Sequence, residues 1–253
     1  MPLNVFINNQ TFHDGENISI GELFLKVEQT GELPKTSAPS LLEFNSFFSP
    51  VDNGVYIGIS SELSATMNVA IQSLKTFPNK DIRLIDSKNL SSGIGLLVLK
   101  AAELRDQGLS LDEIEKEIRN TVPKVHTAFV IDTLEYLYKG GRCSAMENIM
   151  GSLLHIRPII NVREDGTLGV KEKISGSRKK ALNALLADFE RNQANIDLHR
   201  VFITHSGCEE DAETLLKSLL EMAPIEEICI TVAGATIASH CGPATLGILY
   251  LMK

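Results

Sequence analysis

The sequence predicts an α/β protein of two domains, a parallel sheet between helices followed by a mixed sheet with helices. Apolar strand-like runs alternate with amphipathic helical segments as far as Pro123, which is the rhythm of parallel β-α-β units. Beyond Pro123 the strands follow one another more closely. The turn at residues 163–166 joins two of them as an antiparallel hairpin. We therefore expect domains at residues 1–123 and 124–253.

The first half is predicted from short apolar runs and from the signals that open helices. Ser19, Ser40 and Ser110 each stand three residues before a glutamate, which is the capping-box pattern of a helix N-terminus. Helices are expected at residues 19–29, from residue 40 onward, and at residues 62–76, 93–107 and 110–120. Strands are expected at residues 3–7, 55–59 and 82–85. Helices that cross between strands in this order are what a parallel sheet requires.

The second half is predicted to be richer in strands. Strands are expected at residues 127–131, 158–162, 168–173, 201–204, 227–232 and 236–239. Helices are expected at residues 178–191 and 208–222, the second capped by residues 206–209. A short helix follows Asp132, which forms a capping-box pattern with Glu135, and this helix ends at Gly140-Gly141.

Composition excludes several classes of function. The 253-residue chain is 43% hydrophobic, enough for a folded core, and its net charge of −8 argues against a nucleic-acid surface and against docking on anionic membranes. The sequence has neither an apolar run of about 18 residues nor a basic segment at its start, so we expect no membrane span and no signal peptide. Four scattered cysteines, outside any paired Cys-x-x-Cys motif, indicate reduced thiols, no metal site and a cytoplasmic protein.

Polar residues recur where predicted strands give way to helices. These positions are Ser60 and Ser61, Asp86 and Ser87, Asp132 and Thr133, and His205 and Ser206. In an open α/β sheet such junctions share the edge at the carboxyl ends of the strands, where ligands bind. Helix N-termini at that edge present free N–H groups and a partial positive charge. We therefore expect an anionic ligand there.

The segment from Asp132 to Ser144 is the most informative part of the chain. Gly140 and Gly141 allow a tight turn and a close approach of the backbone to another group. Arg142 supplies planar donors that suit a carboxylate or a phosphate. A plain helix C-cap beside a surface arginine is the alternative interpretation.

Together with other motifs, this segment resembles the signature of the DegV family, bacterial proteins that bind one fatty acid. The motifs follow one another in the family's order almost to the C-terminus. They are Thr36-Ser37-Ala38-Pro39-Ser40, Ile59-Ser60-Ser61-Glu62-Leu63-Ser64-Ala65-Thr66, Asp86-Ser87, Gly151-Ser-Leu-Leu-His-Ile-Arg-Pro158, Arg178-Lys-Lys-Ala181, His205-Ser-Gly207 and His240-Cys-Gly-Pro243.

The resemblance implies a DegV-like fold and a set of binding residues. In that family, hydroxyls of the first two motifs hold the fatty-acid carboxylate, and the last motif lies near the head group. The family's fatty acid is presented to a separate ATP-binding kinase subunit, which phosphorylates the carboxylate. The implied carboxylate-binding residues are Thr36, Ser37, Ser61, Ser64 and His240, and the implied head-group or partner contacts are Arg142, Gly140, Gly141 and Arg157.

The sequence departs from the family pattern at several places. Glu62 and Ala65 stand where the family usually has glycine, and so does Ala244. Residues 174–177 hold no arginine, although the family usually has one just before its Arg-Lys-Lys-Ala motif. The family's first strand, about 25 residues upstream of Pro2, has no counterpart in the sequence.

The leading interpretation is therefore a carrier for one long-chain fatty acid, held between the domains, and not an enzyme. One alternative is a serine acyl hydrolase or thioesterase that uses Ser61 or Ser64. Another is a binder of a phosphorylated metabolite at the same helix ends. Because phosphate-binding loops of the Gly-x-x-x-x-Gly-Lys and Gly-x-Gly-x-x-Gly types are missing from the sequence, we expect no nucleotide and no cofactor bound by the chain itself.

Overall fold

The structure is a computed structural model and describes residues 1–143 and 156–253. The first half of the chain alternates short strands with helices. Its elements are β1 (Asn4–Ile7), β2 (Gln10–His13), α1 (Ile20–Thr30), β3 (Lys35–Ser37), α2 (Leu41–Phe48), β4 (Asn53–Gly58), α3 (Thr66–Leu74), β5 (Asp81–Asp86), α4 (Ser92–Asp106) and α5 (Leu111–Thr121).

The second half is richer in strands, as predicted. Its described elements are β6 (Val125–Val130), α6 (Glu135–Gly140), β7 (Ile156–Val162), β8 (Leu168–Ser175), α7 (Arg178–Asn192), β9 (Ile196–His205), α8 (Glu209–Met222), β10 (Glu227–Val232), α9 (Ala235–Cys241) and β11 (Leu246–Met252). The motif at residues 151–158 begins outside the described residues, which resume at Ile156.

The strands form a parallel pair, a mixed sheet and a small antiparallel sheet. Strands β4 and β5 are parallel, and the six-stranded sheet has the order β10-β9-β11-β6-β7-β8, with only its β9–β10 pair parallel. This confirms the predicted fold class. The sheet β2-β1-β3 was not expected, since β2 and β3 are only four and three residues long and carry little apolar pattern. The division of the chain at residues 123 and 124 stays a prediction.

Local capping signals are confirmed for α1, α2 and α5, but the cap predicted for α8 at residues 206–209 is wrong, because the Ser206 hydroxyl donates to the Gly242 carbonyl instead. The Ser19, Ser40 and Ser110 hydroxyls each accept a hydrogen bond from the backbone N–H of the glutamate three residues on, in complete capping boxes. The predicted cap at Asp132 is wrong: α6 begins at Glu135, and the Asp132 carboxylate instead accepts a hydrogen bond from Arg157. The Asp132 carboxylate pairs with the cationic side chain of Arg157 and therefore does not cap the helix.

The predicted strand at residues 236–239 is also wrong, because these residues belong to helix α9. The carboxylate of Asp14, the residue after β2, accepts hydrogen bonds from the N–H groups of Ala235 and Thr236, at 2.6 and 2.9 Å, and so caps the helix. Ala235 and Ala238 pack in one core cluster with Val5 and Leu23. Contacts with the start of the chain therefore override the strand preference of the local sequence.

Two strand ends meet at one edge of the large sheet. Both β6 and β9 pair antiparallel with β11, and their last residues, Val130 and His205, lie opposite the same residue, Leu246. In the parallel pair, Gly58 at the end of β4 lies opposite Asp86 at the end of β5. Within each sheet, the polar positions that follow these strands are therefore brought side by side, as the sequence indicated.

In the described ranges 1–143 and 156–253, none of the helices has both the length and the apolar character needed to cross a membrane.

Candidate ligand-binding site

A cavity of about 50 Å³ lies where β3, α6, α9 and the turn after β4 meet. It brings together five predicted site residues that are far apart in the sequence. The polar lining residues are Thr36, Ser37, Ser64, Arg142, Thr236 and His240, and the remaining ones are Leu3, Ala38, Ile59, Leu63, Leu90, Leu137, Leu168, Ile237 and Cys241. A small polar group within apolar walls suits a ligand with one polar end and an apolar body.

A second cavity, of about 30 Å³, continues the apolar surface toward the large sheet. It shares the wall residues Leu90, Ile237 and Cys241 with the first cavity. Its far side is formed by side chains of β6 and β11, including Phe129 and Leu249. The two cavities together outline an apolar path that begins beside the polar residues.

The polar group is centred on a hydrogen bond between Thr36 and His240. Thr36 Oγ1 and His240 Nε2 are 2.7 Å apart, and the direction of this bond depends on the imidazole tautomer. Burial, together with the smaller effect of the nearby positive charge of Arg142, lowers the pKa of His240 to about 4. The imidazole is therefore neutral at pH 7, and the positive charge of the site belongs to Arg142.

Gly140 allows the closest approach in the site. A Cβ atom on this residue would overlap Nδ1 of His240, so only glycine lets the end of α6 pack against the imidazole. Gly141 has φ of 66° and ends the helix in the left-handed conformation. The close approach predicted for the glycine pair is therefore made by Gly140 alone, against His240, since a Cβ on Gly141 would meet nothing within 4 Å in the described structure.

Arg142 connects this helix end to the turn after β4. Its Nη1 donates a 2.6 Å hydrogen bond to the Gly140 carbonyl, and its Nε donates one of 3.4 Å to the Leu63 carbonyl. The side chain lines the cavity while the residue remains exposed to solvent. Arg142 is therefore placed to meet an anionic group at the mouth of the cavity.

Ser64 and Ser61 are placed differently. Ser64 lines the cavity, and its Oγ lies 2.7 Å from Oγ1 of Thr66. The Ser61 hydroxyl donates a 2.6 Å hydrogen bond to Asp86 and accepts one of 3.2 Å from Lys88. Ser61 is outside the set of described residues that line the cavity, so its contact with a carboxylate stays a prediction.

Lys88 also pairs with Glu62, a residue at a position where the family usually has glycine. Its Nζ lies 3.4 Å from the Glu62 carboxylate, which is half exposed, and 3.2 Å from Asp86. Burial raises the pKa of Asp86, but the hydrogen bonds from Ser61 and Lys88 outweigh it and lower this pKa overall. Lys88 therefore offsets part of the negative charge of Asp86 and Glu62, and one net negative charge remains in this group.

Arg157 belongs to a separate cluster. Its Nε donates to Asp132 at 2.7 Å and its Nη1 to the Gly176 carbonyl at 2.9 Å. Arg178 donates to Asp211 at 2.6 Å and lies 3.7 Å from Asp132. The role of Arg157 as a head-group or partner contact stays a prediction.

Thr236 was missed in the sequence. It is 7% exposed and lies one helical turn before His240 on α9, so both side chains face the cavity. The spacing of four residues would have revealed it had the segment been recognised as a helix. Asp14 was missed for a different reason, because it acts on α9 from a distant part of the chain.

Neither serine that was considered as a nucleophile is paired with a histidine base among the described residues, and His240 bonds instead to the Thr36 hydroxyl. The hydroxyls of Ser61 and Ser64 bond to Asp86 and Thr66, and neither contacts a histidine in the parts of the chain that the structure describes. Burial raises the pKa of Cys241 to about 12, so this cavity-lining thiol stays protonated. Within the same residues, no group of three or more His, Cys, Asp or Glu side chains could hold a metal ion.

Comparisons with known proteins agree on one family. The model of the DegV family, described as uncharacterised proteins, matches residues 1–253. A DegV domain-containing protein of Clostridium perfringens is 36% identical over 229 residues, which cover 87% of this chain and 78% of that protein.

Solved structures support the same assignment. A DegV family protein from Thermus thermophilus, described for its fatty acid binding, has a TM-score of 0.91 at 30% identity, covering 100% of this chain and 91% of its own. The fatty acid kinase B3 protein of Streptococcus pneumoniae, loaded with linoleic acid, has a TM-score of 0.89 at 27% identity, covering 100% and 90%. DegV of Bacillus subtilis, a fatty acid binding protein, has a TM-score of 0.88 at 28% identity, covering 100% and 91%. On the match along its whole length and the shared fold, this chain belongs to the DegV family.

Proposed function

We propose that this protein binds one long-chain fatty acid and is a carrier rather than an enzyme. The observation that supports this most directly is the cavity in which Thr36, Ser64, Arg142 and His240 meet within apolar walls. The relatives described as fatty-acid-binding proteins share this fold at 27–30% identity. The carboxylate lies at the polar residues, and the acyl chain follows the apolar path past Ile237.

The head group is held by hydroxyls and one cation. With neutral His240 donating from Nε2 to Thr36, the Thr36 hydroxyl is free to donate its own proton to the carboxylate. Ser37 and Ser64 supply further hydroxyls beside it. The guanidinium of Arg142 provides the positive charge, and a hydrogen bond to a charged group of this kind contributes about 1.5–3 kcal/mol.

Burial of the acyl chain supplies most of the affinity. Roughly fourteen methylenes at about 0.8 kcal/mol each give roughly 11 kcal/mol before the costs of ordering the chain. The two cavities hold about 50 and 30 Å³, far less than the roughly 300 Å³ or more of a typical small-molecule site. The side chains that line the path must therefore move apart to admit the ligand.

The bound acid is presented to an ATP-binding kinase subunit. This part of the proposal is supported by the relative named as a fatty acid kinase B3 protein and by the exposure of Arg142 beside the polar end of the cavity. Arg142 contributes charge that meets the phosphates of ATP, and Arg157 is a second contact for the partner subunit. The chain itself lacks a sequence motif that would bind a nucleotide.

Organic extraction of the purified protein, followed by mass spectrometry, tests the ligand. We expect the extract to contain a C14–C18 fatty acid. Titration of delipidated protein with palmitate or oleate should restore the bound state. Recovery of nothing acyl, together with failure to bind either acid, would refute the carrier function. Hydrolysis of acyl esters by the same preparation would favour the hydrolase. Binding of phosphorylated metabolites alone would favour the third interpretation.

A separate assay tests the kinase partner. Fatty-acid-loaded protein is mixed with the kinase subunit from the same cell, and ADP release is measured. Arg142→Ala should slow this release while leaving palmitate affinity within a few-fold of wild type. Arg105→Ala is the matched control, because Arg105 is a highly exposed arginine paired only with its neighbour Asp106 among the described residues. Equal rates in both variants would argue against a role for Arg142.

A further inference from the structure

One buried hydroxyl that lines the cavity makes no hydrogen bond to the described residues. Thr236 is 7% exposed, and its Oγ1 has no hydrogen-bond partner among the residues that the structure describes. A buried hydroxyl without a partner is unfavourable, so such groups are rare and call for an explanation.

The other buried threonines of the described chain all have partners. Thr66 bonds to Ser64, and Thr127 bonds to Asn89. The remaining three bond to backbone carbonyls or to other hydroxyls, namely Thr121, Thr204 and Thr245. Thr236 is thus the exception, and it is also the one that faces both His240 and the apolar walls of the cavity.

The backbone of Thr236 is held in place by contacts outside the cavity. Its backbone N–H donates to the carboxylate of Asp14 at 2.9 Å, and one turn later His240 is held by Thr36. The Thr236 hydroxyl therefore does not serve as a helix cap, and no rearrangement of α9 is needed to aim it at a bound group. A carboxylate has two oxygens, each of which accepts hydrogen bonds.

We propose that the Thr236 hydroxyl donates a hydrogen bond to one oxygen of the ligand carboxylate while Thr36 donates to the other. This rests on the proposed fatty-acid binding and adds a specificity determinant to it. Two donors on the two oxygens favour a free acid over an alcohol of the same length. The alcohol has a single, uncharged oxygen, so its hydrogen bonds to the two donors are weaker.

The variant Thr236→Val tests this, because it removes the hydroxyl and keeps the shape. Palmitate affinity should fall about tenfold or more, as expected for losing a hydrogen bond to a charged group. The melting temperature of the ligand-free protein should stay the same or rise, because the hydroxyl has no partner to lose. Thr236→Ser should keep near-normal affinity, and the affinity for hexadecan-1-ol should change much less than that for palmitate.

Several results would overturn the inference while leaving the carrier function intact. Equal palmitate affinity in wild type and Thr236→Val would show that the hydroxyl is not used. Equal losses for palmitate and hexadecan-1-ol would mean that Thr236 acts by packing against the chain. A clear loss of ligand-free stability in Thr236→Val would show that the hydroxyl already has a partner. Wild-type protein that binds no fatty acid would instead refute the proposed function itself.

Discussion

At the scale of single residues, the site depends on a neutral histidine held between a threonine and a glycine. Thr36 bonds to Nε2 of His240, and Gly140 lies against the other ring nitrogen. Nδ1 is buried and finds no hydrogen-bond partner in the described residues, so the ring is oriented by packing on that side. Changes to Thr36 and Gly140 should therefore have separable effects, the first on binding and the second on stability.

Thr36→Val should weaken palmitate binding by about tenfold or more, because it removes the hydroxyl that bonds to His240 and that we propose donates to the ligand carboxylate. Isothermal titration of delipidated protein measures this. Thr214→Val, which alters an exposed threonine on α8, is the control and should bind normally. Unchanged affinity in Thr36→Val would place the carboxylate away from this pair.

Gly140→Ala should destabilise the protein by about 1–3 kcal/mol, since the new methyl group overlaps the His240 ring and forces a local shift. Denaturant unfolding checks the change in the free energy of unfolding. Gly21→Ala is the matched control: a methyl group there meets nothing within 4 Å in the described structure, and alanine in helix α1 should stabilise by up to about 1 kcal/mol. Destabilisation of equal size in both variants would contradict the steric explanation.

At the scale of elements, α9 carries the site, and its orientation depends on a contact from the start of the chain. The helix presents Thr236 and His240 to the cavity, while Asp14 caps its first N–H groups. Its alanines pack on β1 and α1. A change at Asp14 should therefore reach the binding site through the helix, although Asp14 is not part of the cavity lining among the described residues.

Asp14→Ala should lower the free energy of unfolding by about 1–2 kcal/mol, the value of a lost helix cap, and should also weaken palmitate binding. Ser110→Ala removes the capping box of α5 and should cost about 1 kcal/mol of stability with normal binding. Titration and unfolding of both variants separate the two effects. If both variants bound palmitate equally well, α9 would not depend on Asp14 for its position.

The same helix shows what could be predicted from the sequence. The caps of α1, α2 and α5 lie within three residues of their partners, so local sequence located them. The cap of α9 is Asp14, which is 221 residues away in the chain, and no local pattern could indicate it. In the same way, the local sequence could not indicate that the Ser61 hydroxyl bonds to Asp86, 25 residues away, while Ser64 lines the cavity. Residue types at the site were predictable, but the direction of each side chain was a tertiary property.

At the scale of the whole molecule, buried histidines make stability depend on pH. Burial lowers the pKa of both His126 and His240 to about 4. Since the unfolded value is near 6.5, the folded state resists their protonation, and stability is lost as pH falls from 6.5 toward 4. His199 acts in the opposite sense: its hydrogen bonds to Glu226 and Glu103 raise its pKa, so its contribution is present at low pH and is lost as pH rises.

We expect the free energy of unfolding to fall by about 3 kcal/mol for each of His126 and His240 between pH 7 and pH 4. Urea unfolding across this range measures the loss, and His126→Gln should reduce it. Bound palmitate should also reduce it, because a carboxylate near His240 favours the protonated imidazole. A flat profile down to pH 5 would contradict the buried, neutral state of these rings.

The small size of the two cavities has a consequence for the rate at which ligand is exchanged. A ligand that enters only when the walls separate is admitted at the frequency of that opening, not at the frequency of collision. Loading should therefore be slow compared with diffusion, and a loaded molecule should keep its cargo for many encounters with water or other lipids. For a protein that carries a fatty acid as proposed, the same closure that limits uptake also shields the bound acid until the walls open again.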